Sequence, residues 1–182
     1  DLPKNIYSLS NKAIDFIEKQ NNSGNPFYLQ ISHYAVHTNI VSKEETYNKY
    51  QNKKKSLVTD NPGFAAMNEN LDEGVGMILD KLQDLNLLEN TYIIYTSDNG
   101  SAPTIPARRF YKNSINYPLS RGKWDAMEGG IRVPFIVSGP GIEALESKVP
   151  VIGYDLLPTI IDLADPKFIP SENIDGGSFK NI

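Results

Sequence analysis

Three clusters of residues have types and spacing that could do chemistry. Asp98-Asn99 puts a carboxylate and a carboxamide oxygen on consecutive residues after an apolar run, and Gly100 lets the chain turn away. Hard oxygens of this kind suit Ca²⁺ or Mg²⁺, which take six or more such donors from protein, water and substrate. Two donors are too few to hold an ion alone, and Asp-Asn-Gly is equally an ideal strand-end turn. His33 and His37, the only histidines, are four residues apart. On a helix that spacing would put both rings on one face, but the segment follows a strand pattern, which argues against shared zinc ligation. Tyr34 also stands where a metalloprotease helix needs Glu. A histidine at a strand's carboxyl end can donate a hydrogen bond to an anion or act as an acid, or it can simply pack in a loop.

The third cluster is Arg121-Gly122-Lys123 with Glu128-Gly129-Gly130-Ile131-Arg132-Val133-Pro134. Glycines let backbone approach a ligand closely, and a lysine among them supplies a compact positive charge for a tetrahedral oxyanion. Glu128 and Arg132 are spaced four apart, but the glycines between them argue against a helix pair. A loop braced by charge-assisted hydrogen bonds is expected instead. The same stretch would also serve as a surface turn leading into a strand.

The elements that must position these residues are legible as patterns. Over 8–20, Leu9, Ala13, Phe16 and Ile17 share one face, an amphipathic helix that Asn21-Asn22-Ser23-Gly24-Asn25-Pro26 ends. The aromatic and apolar run 27–32 reads as a buried strand. A loop with both histidines follows, then a polar surface stretch to Asp60. From Asn61-Pro62-Gly63, the residues Phe64, Met67, Leu71, Val75, Ile78, Leu82 and Leu85 advance by threes and fours, predicting a long helix over one sheet face. The β-branched and aromatic run 91–96 predicts a central strand buried on both faces. Residues 101–130, with Pro103, Pro106, Pro118 and several glycines, predict a long functional loop. A strand at 133–137 and a short helix at 155–164, with Leu156, Leu157, Ile160, Ile161 and Leu163 inward, complete the chain. No linker or repeat divides it. The order predicts an α/β sandwich with a largely parallel sheet, whose ligand sites gather beyond the carboxyl ends of the strands.

Composition narrows the function classes. The 182 residues include 18 basic and 22 acidic side chains, a net charge of −4, with 40% hydrophobic residues. That describes a folded soluble protein with no electrostatic reason to bind nucleic acid. Cysteine is absent, which excludes a disulfide framework, a Cys-ligated zinc site and a cysteine nucleophile within these residues. No apolar run approaches the roughly 20 residues of a membrane span, and Asp1-Leu2-Pro3-Lys4 is not a signal peptide. The first residue is not methionine, so removal of an upstream segment, a signal sequence included, is expected.

Taken together, the motifs resemble the second half of a type I sulfatase, a branch of the alkaline phosphatase superfamily. Four segments follow the family's order: Pro26-Phe27-Tyr28-Leu29-Gln30-Ile31-Ser32-His33-Tyr34-Ala35-Val36-His37-Thr38; Ala66-Met67-Asn68-Glu69-Asn70-Leu71-Asp72-Glu73-Gly74-Val75-Gly76; Thr96-Ser97-Asp98-Asn99-Gly100; and the Arg-Gly-Lys and Glu-Gly-Gly segments above. Tyr154-Asp155-Leu156-Leu157-Pro158-Thr159 and Asp175-Gly176-Gly177-Ser178 fit the closing region. Each motif alone is weak; six in register are specific.

The resemblance implies an alkaline-phosphatase-like α/β fold and hydrolysis of sulfate esters of carbohydrates or aryl compounds. It implies that Asp98 and Asn99 ligate a divalent cation, usually Ca²⁺ with Mg²⁺ as the alternative. It further implies that His37 and Lys123 contact the sulfate and stabilise charge on the leaving oxygen. No role carries over to His33. Leu119-Ser120-Arg121-Gly122-Lys123 departs from the common Leu-Arg-Gly-Gly-Lys, although Lys123 keeps its place five residues before Glu128. Family members use a formylglycine nucleophile made from a Cys/Ser-x-Pro-x-Arg motif, and no such motif occurs here: Ser32, Ser97 and Ser120 lack the Pro-x-Arg continuation. The family's paired metal-binding aspartates and its further sulfate-pocket lysine and histidine are also missing. Residues 1–182 are therefore expected to form one partial catalytic domain, inactive alone, of a periplasmic or secreted enzyme. A phosphoester or phosphonate hydrolase of the same superfamily, and a non-catalytic sulfated-glycan binding module, are the alternatives.

Overall fold

The computed structural model describes residues 3–54, 61–102, 115–169 and 173–182. Pro103 and Pro106 of the long loop, and the end of the polar stretch at 55–60, lie outside the described residues. The chain divides into two compact units, Asp1–Ile142 and Glu143–Ile182.

In the first unit, α1 (Ile6–Ser23) buries Ile6, Ser10, Ala13 and Ile17. It stops at Gly24, whose left-handed φ of 67° lets its N–H return to the Asn21 carbonyl, the usual way a glycine ends a helix. The helix α3 (Pro62–Asp84) starts as its sequence predicts: Asn61 caps it by accepting from the Phe64 N–H at 2.9 Å, and Pro62 occupies the first turn. The two helices pack through Gly74, where a side chain would collide with Ile6 and Ser10. Ala13, Ile17, Ile78 and Leu82 form the core there, with Phe27, Leu29, Ile31 and Ile93 against it. Lys43 crosses the same seam, 3.0 Å from Glu73 and 4.2 Å over the Tyr7 ring, while the Tyr7 hydroxyl donates to Glu73. These groups are partly exposed, so their contribution to stability is modest.

The polar stretch contains a helix the sequence does not announce, α2 (Glu44–Asn52), which buries only Thr46. An apolar stripe is not what seats it. The buried Asn70 of α3 accepts from the Lys43 N–H and donates to the Thr46 hydroxyl, each at 3.0 Å, and Lys49 pairs with Glu69 at 2.7 Å.

The α/β architecture is as expected, but its strands differ in detail. Among the described residues the sheet has two strands, β1 (Ile93–Thr96) and β2 (Phe135–Ser138), paired antiparallel with Ile93 opposite Ser138 and Thr96 opposite Phe135. The parallel direction expected of neighbouring strands is thus corrected for this pair. A parallel return needs a crossover to the far end of the first strand. Here the Gly100 N–H is instead bonded to the Gly130 carbonyl at 2.8 Å, so the chain re-enters beside the end of β1 and runs back. Among the described residues β1 is not covered on both faces: Tyr95 is 39% exposed and its partner Ile136 is 60% exposed. Residues 27–32 are extended but pair with no strand among the described residues. Their alternation is real, with Phe27, Leu29 and Ile31 packed inward, but a strand also needs a hydrogen-bonding neighbour.

The second unit carries α5 (Leu156–Ala164), after a 3-10 turn at Gly153–Asp155. Only Thr159 is buried on it, and Leu157 is 55% exposed, so the expected inward face is not closed. A unit this short cannot wrap a helix on its own. Polar bonds set its structure instead. The Asp155 carboxylate accepts the Gly177 N–H at 2.9 Å and the Ile152 N–H at 2.8 Å, bonds that hold its carboxyl below the usual carboxylate range. Thr159 accepts the Phe179 N–H at 3.0 Å. The two closing-region motifs of the sequence are joined by these contacts.

Candidate active site

The carboxyl end of β1 and the glycine-rich loop are stitched together by backbone. Besides Gly100 to Gly130, the Lys123 N–H donates to the Ser101 carbonyl at 3.1 Å and the Gly129 N–H donates to the Ser120 carbonyl at 2.8 Å. Asn116 donates to the carbonyls of Ser101 at 2.7 Å and Arg121 at 2.9 Å. The glycines are required by this closeness. A methyl group on Gly100 would fall onto the Gly129 carbonyl, and one on Gly130 onto the Asp125 carbonyl. The segment Glu128–Ile131 forms a short helix, α4, with Arg132 3.4 Å from Glu128 at helical spacing. This corrects the expectation that the glycines exclude a helix pair: backbone approach, not a turn, is what they serve. Arg121 instead pairs with Asp125 at 2.8 Å.

This stitching fixes where the singled-out side chains begin. Lys123 leaves the loop at the residue bonded to Ser101, and its ammonium lies 3.1 Å from His37 Nε2. Two residues 86 apart in sequence, chosen from separate motifs, therefore touch. His37 is exposed, and its Nδ1 lies 3.0 Å from the Thr38 carbonyl and 3.2 Å from the Thr38 hydroxyl. A cation with three N–H donors beside an imidazole can bind an oxyanion and support charge developing on it.

Asp98 is exposed and Asn99 half-buried on the turn beyond β1. Asn99 donates through Nδ2 to the Gly100 carbonyl at 3.0 Å, so its amide oxygen keeps both lone pairs, and no cationic side chain pairs with Asp98 among the described residues. Among those residues no cluster of three or more His, Cys, Asp or Glu could hold a metal ion. The pair fits a divalent cation in donor type, as two members of a shell of six or more oxygens.

His33 stands apart from the contacts of His37. It is half-buried, and its Nδ1 is buried with no hydrogen-bond partner among the described residues. Burial pushes its imidazole below the ordinary histidine range. The folded chain then resists a proton that the unfolded chain accepts near pH 6.5, so stability is full above that value and declines as pH falls through it. The denaturation midpoint should therefore drop between about pH 7.5 and 5.5, and His33→Gln should flatten that slope. The lowered carboxyls of Glu69 and Glu73 lose their contributions only at more acidic pH. An unchanged slope in His33→Gln, measured by urea titration, would exclude this origin.

The sequence reading passed over Lys4 and Asn116, which no motif marks. Lys4 donates to the Thr38 carbonyl at 2.8 Å, beside His37. Only an amide position in a proline- and glycine-rich loop hints at Asn116.

The sulfatase family model matches residues 6–166. A sulfatase of Formosa agariphila is 31% identical over 99% of this chain, which covers 34% of that protein. Rat N-acetylgalactosamine-6-sulfatase is 33% identical over 91% of the chain, covering 30% of the relative. Among solved structures, Ps i-CgsB in complex with k-i-k-neocarrahexaose superposes with a TM-score of 0.81 at 32% identity, over 94% of this chain and 36% of that one. The chain thus spans about a third of the length of the relatives it matches. The chain belongs to the sulfatase family.

Proposed function

We propose that this chain is part of a sulfuric ester hydrolase acting on sulfated carbohydrate, in which His37 and Lys123 handle the sulfate and Asp98 and Asn99 hold a divalent cation, Ca²⁺ foremost. The single observation that carries the reading is the contact of Lys123 Nζ with His37 Nε2, formed between two segments that both belong to the family pattern. The carbohydrate class is suggested by relatives named for N-acetylgalactosamine-6-sulfate and N-acetylglucosamine-6-sulfate and by the neocarrahexaose complex. No helix among the described residues is long and apolar enough to cross a membrane, and action in the periplasm or outside the cell is part of the same proposal.

The roles follow from what each group can do. Lys123 directs N–H donors at a sulfate oxygen and offsets the charge that grows as the S–O bond breaks. His37, beside it, is assigned to the leaving oxygen, to which it can pass a proton when its imidazole is doubly protonated. A cation at Asp98 and Asn99 supplies Lewis-acid neutralisation of the sulfate charge. The nucleophile is assigned to a formylglycine encoded outside these 182 residues, since no Cys/Ser-x-Pro-x-Arg sequence occurs among them. These residues alone therefore bind a cation weakly and turn over nothing.

The test is a paired assay of the intact protein on 4-nitrophenyl sulfate, 6-sulfated N-acetylhexosamines and 4-nitrophenyl phosphate. Sulfate release that exceeds phosphate release by about a hundredfold or more, a transition-state difference of roughly 2.7 kcal/mol, supports the reading. Preference for the phosphate ester replaces it with phosphoester hydrolysis, and retention of sulfated glycan without release replaces it with a binding module.

A further inference from the structure

His37 makes bonds that assign the positions of its hydrogens. Its Nδ1 lies nearer the Thr38 carbonyl, at 3.0 Å, than the Thr38 hydroxyl, at 3.2 Å; the carbonyl can only accept, so the shorter contact is made with the hydrogen on Nδ1. Its Nε2 faces the Lys123 ammonium at 3.1 Å, a group that can only donate, so Nε2 presents its lone pair. These roles define one tautomer of neutral imidazole.

The Thr38 carbonyl that selects this tautomer is itself held. Lys4 reaches across from the turn before α1 and donates to that oxygen at 2.8 Å. Both acceptor sites of the carbonyl are then in use, one by Lys4 and one by His37. The turn that delivers Lys4 is in an unfavoured conformation: Lys4 and Asn5 both have left-handed backbone, with φ of 50° and 56°, which side-chain-bearing residues rarely adopt. It is fixed at its base by Pro3 and Ile6, both buried and joined by the Ile6 N–H to the Pro3 carbonyl at 3.0 Å. Strain retained where a side chain spans 34 residues to a site loop points to a positional task.

We propose that Lys4 is a positioning residue for the site: it anchors the Thr38 carbonyl so that His37 keeps its hydrogen on Nδ1 and turns the Nε2 lone pair to Lys123. The anchor is geometric. A second donor on one carbonyl does not strengthen the first bond, but it stops the peptide from rotating away from the ring. The chain of contacts runs Lys4 Nζ, Thr38 oxygen, His37 Nδ1, His37 Nε2, Lys123 Nζ, so both cations bear on one imidazole from opposite edges. Loss of Lys4 frees the 38–39 peptide, which carries the Thr38 carbonyl, and lets the ring exchange tautomers. The catalytic consequence rests on the sulfatase reading above; the tautomer does not.

The experiment is ¹⁵N correlation spectroscopy of the histidine ring in the intact protein at mildly alkaline pH, with Lys4→Met and Lys4→Arg beside the parent. In the parent, Nδ1 should give a protonated, pyrrole-type shift and Nε2 an unprotonated, pyridine-type shift. Lys4→Met should draw the two shifts toward each other, and Lys4→Arg, which retains donors, should restore the separation. Turnover of the sulfate ester should follow, down about tenfold in Lys4→Met and recovered in Lys4→Arg, as for other residues that orient a functional histidine. A parent spectrum with the hydrogen on Nε2 overturns the proposal without any variant. So does a folded Lys4→Met with parent-like ring shifts. Should the protein fail to hydrolyse sulfate esters, the ring shifts still decide the role of Lys4, so the two readings fail separately.

Discussion

Alanine at His37 or at Lys123 should lower sulfate-ester turnover of the intact protein by about 10²- to 10⁴-fold, the range for removing a positioned proton-transfer or charge-stabilising group. The double replacement should be little worse than the more damaging single one. The reason is the 3.1 Å contact between Lys123 Nζ and His37 Nε2. Groups in contact that act as a unit lose their joint effect when either is removed, so their energies do not add. Independent groups would instead multiply, giving the product of the two single losses. The folded state should hardly notice the His37 change, because His37 is exposed among these residues and surface replacements away from caps and cores shift stability by about 0.5 kcal/mol or less. Steady-state kinetics of the four proteins in the cycle, with a melting curve for each, measures both. Multiplicative losses, or turnover retained in either single variant, would remove the pair from the site.

That pair shows what the sequence carries and where it stops. His37 and Lys123 were legible because each sits in a short pattern with a chemical reason for its residue types. Their contact was not, since it depends on the Gly100 to Gly130 bond that folds the loop back onto β1. The same bond explains the strand direction. Periodicity of two and of three to four identifies strands and helices, but no local pattern states whether a connection crosses the sheet or returns along it. Local chemistry marked the stop of α1 at Gly24 and the start of α3 at Asn61, although α1 runs through Asn21, Asn22 and Ser23, past the expected end at Gln20. It failed at α2, where the signal is one buried asparagine on a different helix that satisfies Lys43 and Thr46. Lys4 was invisible for the same reason: its partner is a backbone carbonyl 34 residues away, and backbone groups leave no trace in a sequence.

Asp98 offers the sharper separation of chemistry from folding. Among the described residues its carboxylate is exposed and no cationic side chain pairs with it. As a cation ligand, by contrast, it supplies the only formal negative charge on the 98–99 turn. Asp98→Ala should therefore cut sulfate-ester turnover of the intact protein by about a thousandfold or more, in line with the several kcal/mol that a bound cation gives to transition-state charge. Its melting temperature without metal should stay within about 2 °C of the parent's, as for an ordinary surface replacement. Asp98→Asn refines the argument, because it keeps an oxygen donor of the same reach and removes only the charge. Weakened Ca²⁺ affinity with partial turnover at high Ca²⁺ is the expected result, since a hard cation binds a neutral amide oxygen more weakly than a carboxylate. The calcium dependence of the melting temperature reads the same ligand without any turnover: Ca²⁺ should raise it in the parent by mass action and raise it less in both variants. If Asp98→Ala retains turnover, or if Ca²⁺ stabilises it as much as the parent, the ion is held elsewhere and Asp98-Asn99-Gly100 is no more than the turn that ends β1.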